Sequence, residues 1–202
     1  MIDLPRVALV ILNWNDWEAT RTCLESVAKA TYSPMKTYVV DNGSSDGSPD
    51  RIAEAFPHVP LLRLSRNHGY GGGMNAGIRA ALEEVADYVL CLNNDMTVDP
   101  GFLEHLVRAA SPGRVVPFPA VYQLGDPERV DSAGNRFHRR TGLVGAIGRG
   151  SREVPKGAEA DYTELPFLPR PLLERIGGYD ESYFAFYEDV DLCLRIRREG
   201  WR

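Results

Sequence analysis

Residues 7–16 read Val7-Ala8-Leu9-Val10-Ile11-Leu12-Asn13-Trp14-Asn15-Asp16, an unbroken apolar run that passes directly into polar side chains. Such a run is typical of a strand that is buried on both faces of a sheet. The Asn and Asp residues that follow it favour a loop and then the cap of a helix. The segment therefore predicts the first βα unit of an α/β protein.

The same alternation continues to about residue 110. Helices are expected at 17–30, 48–56 (capped by Ser48), from Gly69 onward and at 99–110, with further strands at 37–40, 61–64 and 88–92. This order predicts a mostly parallel sheet with helices on both faces, which binds ligands beyond the carboxyl ends of its strands. Beyond residue 111 the periodicity is weak, and strands are expected only near 115–116 and 165–168.

Composition limits the classes of function. The 202 residues are 44% apolar and 25% charged, which is ordinary for one globular domain. The net charge of −5 gives no general reason to bind nucleic acid. The local basic patch Arg136-Phe137-His138-Arg139-Arg140 could meet phosphate or anionic lipid, or could be a solvated loop.

The cysteines and the apolar runs bear on location. Cys23, Cys91 and Cys193 lie in apolar patterns, so we expect buried thiols in a reducing compartment. The apolar run at 7–12 is far shorter than the roughly 20 residues that span a bilayer. It also lacks a basic segment and a cleavage site, so a cytoplasmic protein is expected.

Three carboxylates crowd together near the end of the chain, at Glu188, Asp189 and Asp191. The repeats Val190/Leu194 and Leu192/Ile196 predict an amphipathic helix with these acids at its start. Acids in a first turn suit the helix dipole at roughly 0.3–1 kcal/mol each. The segment alone leaves helix electrostatics and catalysis as open alternatives.

Two further motifs have both a ligand-binding and a structural interpretation. Asn93-Asn94-Asp95 follows a buried strand and suits Mg²⁺ or Mn²⁺ with substrate phosphates, or a simple turn. The glycine stretch 69–77 allows a ligand to approach the backbone and predicts a helix N-terminus near a pyrophosphate. Residues 71–76 also match G-x-G-x-x-A, but two βα units precede them, so this dinucleotide signal is weak.

Five segments together resemble the inverting glycosyltransferases of family two, and in particular their bacterial rhamnosyltransferase-like branch. They are VALVILNWN (7–15), VVDNGSSDGS (39–48), RNHGYGGGMNAGI (66–78), YVLCLNNDMTVDP (88–100) and GGYDESYFAFYEDVDLCLRIRREGW (177–201). The resemblance spans nearly the whole chain. It implies the Rossmann-like nucleotide-diphospho-sugar transferase (GT-A) fold over 1–202, with a nucleotide-sugar-binding half at about 1–110 and an acceptor and catalytic half at about 111–202.

On the donor side, the resemblance implies that Asp41 contacts the nucleotide base and that Asp95 holds Mg²⁺ or Mn²⁺ with the phosphates of a UDP-, GDP- or dTDP-sugar. The family motif at Asp95 is usually richer in aspartate, so metal binding here rests heavily on one carboxylate. The other donor-binding positions implied are Asn13, Asn42, Ser44, Arg66, Asn67, Gly69, Asn75 and Asn94.

On the acceptor side, the resemblance implies that Asp189 is the general base, with Glu188 as a rival. Its position in a first turn predicts that Asp189 stays ionised. Tyr179, Asp180 and Asp191 are expected on the acceptor side. The implied acceptor is a glycan or lipid-linked glycan for cell-surface polysaccharide, reached at the inner face of the membrane.

Other functions fit the residues less well. In the family a strand, often with a metal-binding histidine, usually follows the helix that carries the base, and none follows here. We therefore expect a truncated enzyme rather than a degenerate, non-catalytic binding module. An NAD-linked dehydrogenase would use the glycine stretch but leaves the carboxylates without a role. The sugar, the nucleotide base, the acceptor and the oligomeric state are not specified.

Overall fold

The computed structural model describes residues 4–110, 113–155 and 159–202. Its elements are β1 (Val7–Asn13), α1 (Trp17–Val27), β2 (Met35–Asp41), α2 (Ser48–Ala55), β3 (Leu61–Arg63), α3 (Gly69–Glu83), β4 (Tyr88–Asn93), α4 (Phe102–Ala110), β5 (Val121–Gln123), β6 (Asp126–Ser132), β7 (Asn135–His138), β8 (Leu143–Ala146), β9 (Phe167–Pro169), α5 (Arg170–Ile176) and α6 (Glu188–Arg198).

The central sheet has the strand order β3-β2-β1-β4-β9. Its first four strands are parallel, and β9 joins the edge of β4 in the antiparallel direction. Helices α1, α2 and α4 pack on one face, while α3, α5 and α6 pack on the other. The predicted α/β fold, with a mostly parallel sheet covered on both sides, is confirmed.

The continuous apolar run at β1 is explained by these two layers. Leu9 and Ile11 face the layer of α1, whereas Ala8 and Val10 face the layer of α3. Successive strand residues point to opposite faces, so a strand with two covered faces needs no polar alternation. The three cysteines are free and buried, as predicted.

Several local predictions were wrong. Val115 and Val116 form no strand, and the strand expected at 165–168 is β9, at Phe167–Pro169. The two hairpins β5–β6 and β7–β8, and α5, were not foreseen because each element is too short to show a period. Ser48 does not cap α2, since Gly47 occupies that position at φ 79° and Ser48 is the first helical residue. The half-domain boundary near 110 adjoins residues 111–112, which lie outside the described residues.

The glycine stretch lets α3 lie close to the sheet. A Cβ at Gly73 would overlap the side chain of Leu12, and one at Gly77 would overlap Val10. Glycine removes these atoms and allows the helix backbone to approach β1 and β2. Within the described residues, no helix is both long enough and apolar enough to cross a membrane.

We expect Gly77→Ala to destabilise the protein, although alanine favours helices over glycine by about 1 kcal/mol. The added methyl would overpack the contact with Val10, and the net loss should be about 1–3 kcal/mol in urea unfolding. Gly145→Ala is the control, because its new Cβ would meet no atom within 4 Å. Equal stability of the two variants would contradict this account of α3.

Candidate functional site

A buried asparagine joins the carboxyl ends of β1 and β2. Asn13 is fully buried, and its Nδ2 donates to Asp41 Oδ1 (2.8 Å), Ser44 Oγ (3.1 Å) and Ser48 Oγ (2.8 Å). Its Oδ1 accepts from the Thr20 hydroxyl at 2.8 Å. The amide of Asn13 is thus bonded within the protein, and its expected contact with the donor stays a prediction. Asp41 is 2% exposed at the end of β2, and its donor role stays a prediction.

The turn before α3 is built by a second asparagine. Asn42 donates from Nδ2 to Asn67 Oδ1 and to the Gly69 carbonyl, both at 3.0 Å, and accepts from the His68 N–H at 3.0 Å. Asn67 Oδ1 also accepts from the Gly69 N–H at 2.7 Å. Asn42 therefore shapes this turn, and its expected contact with the donor stays a prediction. Arg66 is exposed beside it, and its contact with the donor stays a prediction.

The N-terminus of α3 is closed by the loop that precedes α6. The Tyr70 N–H donates to the Phe184 carbonyl at 3.0 Å, and a Cβ at Gly69 would collide with that same carbonyl. Backbone of the chain itself therefore contacts this helix end, and the expected approach of a pyrophosphate stays a prediction.

A third asparagine clamps the same loop to α3. Asn75 is 6% exposed; its Oδ1 accepts from the Tyr179 N–H (2.8 Å), and its Nδ2 donates to the Tyr179 carbonyl (2.9 Å) and to Glu181 (2.9 Å). Tyr179 is 4% exposed, and its ring packs edge-on against Tyr70. Both side chains position the loop, and the expected contacts of Asn75 with the donor and of Tyr179 with the acceptor stay predictions.

The loop leads into a cleft of about 570 Å³ at the start of α6. Two consecutive residues before the helix, Phe186 (φ 69°) and Tyr187 (φ 67°), adopt the left-handed conformation. Such residues cost of order 1–3 kcal/mol each and persist where the surroundings enforce them. Tyr187 is held by an edge-on contact with Phe137 in β7. The cleft is lined by Tyr70, Asn93, Val144, Tyr162, Glu164, Phe186, Tyr187, Glu188, Asp189 and Val190.

Glu188 and Asp189 both lie in the cleft wall, and the side chain of Glu188 is the more buried of the two. Burial raises the pKa of Asp189 to about 6, and it also raises the pKa of Glu188. Glu188 is 7% exposed, and its Oε2 has no hydrogen-bond partner among the described residues. Loss of solvation thus outweighs the helix dipole at Asp189, although a pKa of about 6 leaves the carboxylate mostly ionised at neutral pH.

Glu164 is a cleft carboxylate that the sequence analysis missed. The pKa of Glu164 is raised by burial and, in decreasing order, by the charges of Asp189, Asp131 and Asp95. Glu164 lines the same cleft as Asp189 at the start of α6 and Asn93 at the end of β4. Its only sequence signal is a charged residue immediately before the apolar segment that forms β9.

Asp95 lies exposed just beyond the end of β4. The neighbouring Asn94 donates from Nδ2 to Thr20 Oγ1 at 3.0 Å, which leaves its amide oxygen available. Across the described ranges, no group of three or more His, Cys, Asp or Glu side chains is placed to hold a metal. One carboxylate of this chain fits a divalent cation whose other ligands are substrate phosphates and water.

Two other acids predicted for the acceptor side lie outside the cleft lining. Asp191 pairs with Arg195 (Nε–Oδ2 2.7 Å), and that arginine also donates to the carbonyls of Ile176 (3.1 Å) and Gly178 (2.9 Å). The carboxylate of Asp191 thus anchors the start of the loop, and its expected contact with the acceptor stays a prediction. At Asp180, a hydrogen bond from the Ser182 backbone N–H holds the pKa below its usual range.

Comparison with known proteins identifies relatives of the same kind. Residues 8–161 match the family described as glycosyl transferase family 2. The N-acetylglucosaminyl-diphospho-decaprenol L-rhamnosyltransferase of Mycobacterium tuberculosis is 30% identical over 88% of this chain and 66% of its own length. The low-salt glycan biosynthesis hexosyltransferase of Haloferax volcanii is 27% identical over 98% of this chain and 63% of its own length. The chain thus spans just under two thirds of these relatives.

A solved structure has the same fold. The mannosyltransferase of Pyrobaculum calidifontis, in complex with GDP-Man and Mn²⁺, superposes with a TM-score of 0.69. It is 21% identical, and the match covers 100% of this chain and 54% of the other. The GT-A fold expected from the sequence is confirmed by this likeness. The family match covers most of the central sheet, from β1 to β4, and the chain belongs to glycosyl transferase family 2.

Proposed function

We propose that this protein transfers a sugar from a nucleoside-diphosphate donor to an acceptor hydroxyl, with inversion at the anomeric carbon. The observation that carries the proposal is the carboxylate of Asp189, set in the wall of a cleft that Asn93 also lines at the end of β4. Membership of glycosyl transferase family 2 supports a transferase. The two named relatives, a rhamnosyltransferase and a hexosyltransferase, support glycan assembly as the setting.

Asp189 is the general base in this proposal. An inverting transfer is one in-line displacement, in which the acceptor hydroxyl loses its proton as it attacks the anomeric carbon. A carboxylate within about 2.6–3.2 Å of that hydroxyl accelerates such a step by roughly 10²–10⁴-fold. A pKa of about 6 makes Asp189 a stronger proton acceptor than an ordinary aspartate while it stays mostly ionised at neutral pH. Glu188 is less suited because only 7% of it is exposed.

The donor lies, in this proposal, in the half formed by residues 1–110, with Asp41, Ser44 and Arg66 at the nucleotide. Residues 111–202 supply the acceptor side. A divalent cation, Mg²⁺ or Mn²⁺, would neutralise the charge that develops on the leaving diphosphate. Asp95 would hold it together with the donor phosphates, and Asn94 offers an amide oxygen beside it. We infer a lipid-linked acceptor from the diphospho-decaprenol named for the mycobacterial relative.

Asp189→Asn should lower the transfer rate by about 10²–10⁴-fold because the amide cannot accept the proton. In the unaltered protein, kcat/KM should rise with pH and level off above about 6, where Asp189 is ionised. The measurement is turnover of UDP-, GDP- and dTDP-sugars between pH 4.5 and 8. Asp50→Asn, an exposed change on α2 outside the cleft lining, is the control. Near-normal turnover of Asp189→Asn, or a midpoint near pH 4 in the profile of kcat/KM, would refute Asp189 as the general base.

The same carboxylate should make the fold sensitive to pH. The folded pKa of Asp189 lies above its reference value of 3.8, so the stability it contributes is lost as pH rises from about 4 to 6. Asp189→Asn should therefore unfold at higher urea at pH 8, with a gain of roughly 1–3 kcal/mol that shrinks towards pH 4. Asp180→Asn removes a carboxylate whose pKa is lowered and should bring no gain. Equal stability of the two variants at pH 8 would contradict burial as the cause of the raised pKa of Asp189.

Metal binding should depend on the nucleotide, because this chain supplies a single carboxylate. Mn²⁺ alone should leave the thermal unfolding midpoint unchanged, whereas Mn²⁺ with UDP, GDP or dTDP should raise it. Asp95→Asn should remove the part of the shift that needs Mn²⁺, and Asp99→Asn, on the same exposed segment, should retain it. Stabilisation by NAD but by none of the three nucleotides would overturn the proposed function.

A further inference from the structure

A second cavity, of about 350 Å³, lies between the β7–β8 hairpin and the C-terminal half of α6. It is lined by Arg139, Leu194, Arg197 and Arg198. None of these arginines forms an ion pair with any residue that the structure describes, and Arg197 donates only to the backbone carbonyl of Ala160. The cavity therefore collects guanidinium groups that the fold does not neutralise.

We propose that this cavity binds the diphosphate of a lipid-linked acceptor, an inference that rests on the proposed transferase function. Guanidinium groups present donors in a fork that matches phosphate oxygens, so several around one concavity suit a diphosphate. The helix dipole favours cations at the end of α6 and accounts for Arg197 and Arg198. It does not account for Arg139, which reaches the cavity from the opposite hairpin.

Two neighbouring arginines on these elements differ from those of the cavity, because their charges are paired within the fold. Arg195, in the same helix, pairs with Asp191 at 2.7 Å, and Arg136, at the start of the same basic patch, lies 3.9 Å from Asp161. The chain as a whole carries a net charge of −5. Attraction for a diphosphate is thus local to this cavity and does not follow from overall charge.

Helix α6 connects the cavity to the catalytic cleft. Val190 lines the cleft, whereas Leu194 and Arg197 line the cavity. Spacings of four and three residues put these three side chains on one stripe of the helix. At about 1.5 Å per residue, Arg197 lies roughly 12 Å along the axis from Asp189. An acceptor sugar whose hydroxyl reaches Asp189 therefore directs its diphosphate towards the arginines.

The hairpin beside the cavity also offers an apolar surface. Leu143 and Val144 of β8 are 69% and 52% exposed, and Val144 lines the cleft as well. A prenyl chain attached to the diphosphate can cover these side chains, which gains roughly 25 cal/mol for each Å² of apolar surface removed from water. The two cavities and this surface fit the three parts of a lipid-linked sugar.

The test is calorimetric titration with farnesyl diphosphate in metal-free buffer. Arg139→Gln and Arg198→Gln should each weaken binding about tenfold or more, because each removes a charge-assisted contact. Both side chains are exposed, so the fold should tolerate the changes. Arg152→Gln is the matched control, since this exposed arginine pairs with Glu128 at 3.6 Å and does not line the cavity. Equal affinity in all variants would overturn the proposal.

Three parallel titrations identify what the cavity recognises. Farnesol and inorganic pyrophosphate should each bind more weakly than farnesyl diphosphate, because each lacks one half of the ligand. Equal binding of pyrophosphate would overturn the lipid-linked assignment. Loss of binding to phosphatidylglycerol vesicles in the arginine variants, without loss of farnesyl diphosphate binding, would assign the patch to a membrane surface and also overturn it.

The proposed function is checked separately in the same proteins. UDP, GDP and dTDP with Mn²⁺ should bind the arginine variants and the unaltered protein equally, since the arginines lie outside the donor half. If the unaltered protein binds farnesyl diphosphate but none of the three nucleotides, the transferase proposal is refuted and the proposal for the cavity is not. If the unaltered protein binds the nucleotides but not farnesyl diphosphate, only the proposal for the cavity is refuted.

Discussion

The arrangement of the cleft depends on how closely α3 approaches the sheet. Gly73 and Gly77 permit that approach, because a side chain at either position would overlap β1. Only at this depth does Asn75 reach the backbone of Tyr179 with both ends of its amide. The loop that carries Phe186 and Tyr187 into α6 starts from that clamp, so a constraint on helix packing determines where Asp189 lies.

Buried amides hold both sides of the cleft. Asn13, Asn42 and Asn75 each join two segments that are distant in sequence, and each has donor and acceptor atoms satisfied inside the protein. Leaving one such group unpaired costs about 1–3 kcal/mol, so each amide specifies one loop arrangement. Backbone strain, in contrast, occurs at the consecutive residues Phe186 and Tyr187, directly before the carboxylates, as well as at the separate positions Asn15 and Val85. A rigid frame of amides can enforce that strain.

Long periodic segments were predictable, and the roles of single polar residues were less so. β1, β4 and α6 stand out because burial imposes a repeat over several turns or a whole strand. The hairpins β5–β6 and β7–β8 are too short for that. Asn75 shows why the roles of single polar residues are hard to predict, because an amide that clamps backbone and one that binds a ligand look alike in sequence. Glu164 could not be predicted because its position depends on the contacts around the cleft.

Charge along α6 has a consequence for the proposed reaction, which involves two diphosphates. Asp189 and Glu164 make the cleft acidic at one end of the helix, while Arg139, Arg197 and Arg198 make the other end basic. Like charges a few ångströms apart repel each other by several kcal/mol at a partly buried site. The acids therefore repel a donor diphosphate unless a cation accompanies it. An acceptor diphosphate needs no metal at the arginines. In the proposed reaction, the two ends of one helix therefore receive two chemically similar anions, and the attacking hydroxyl meets the anomeric carbon at Asp189.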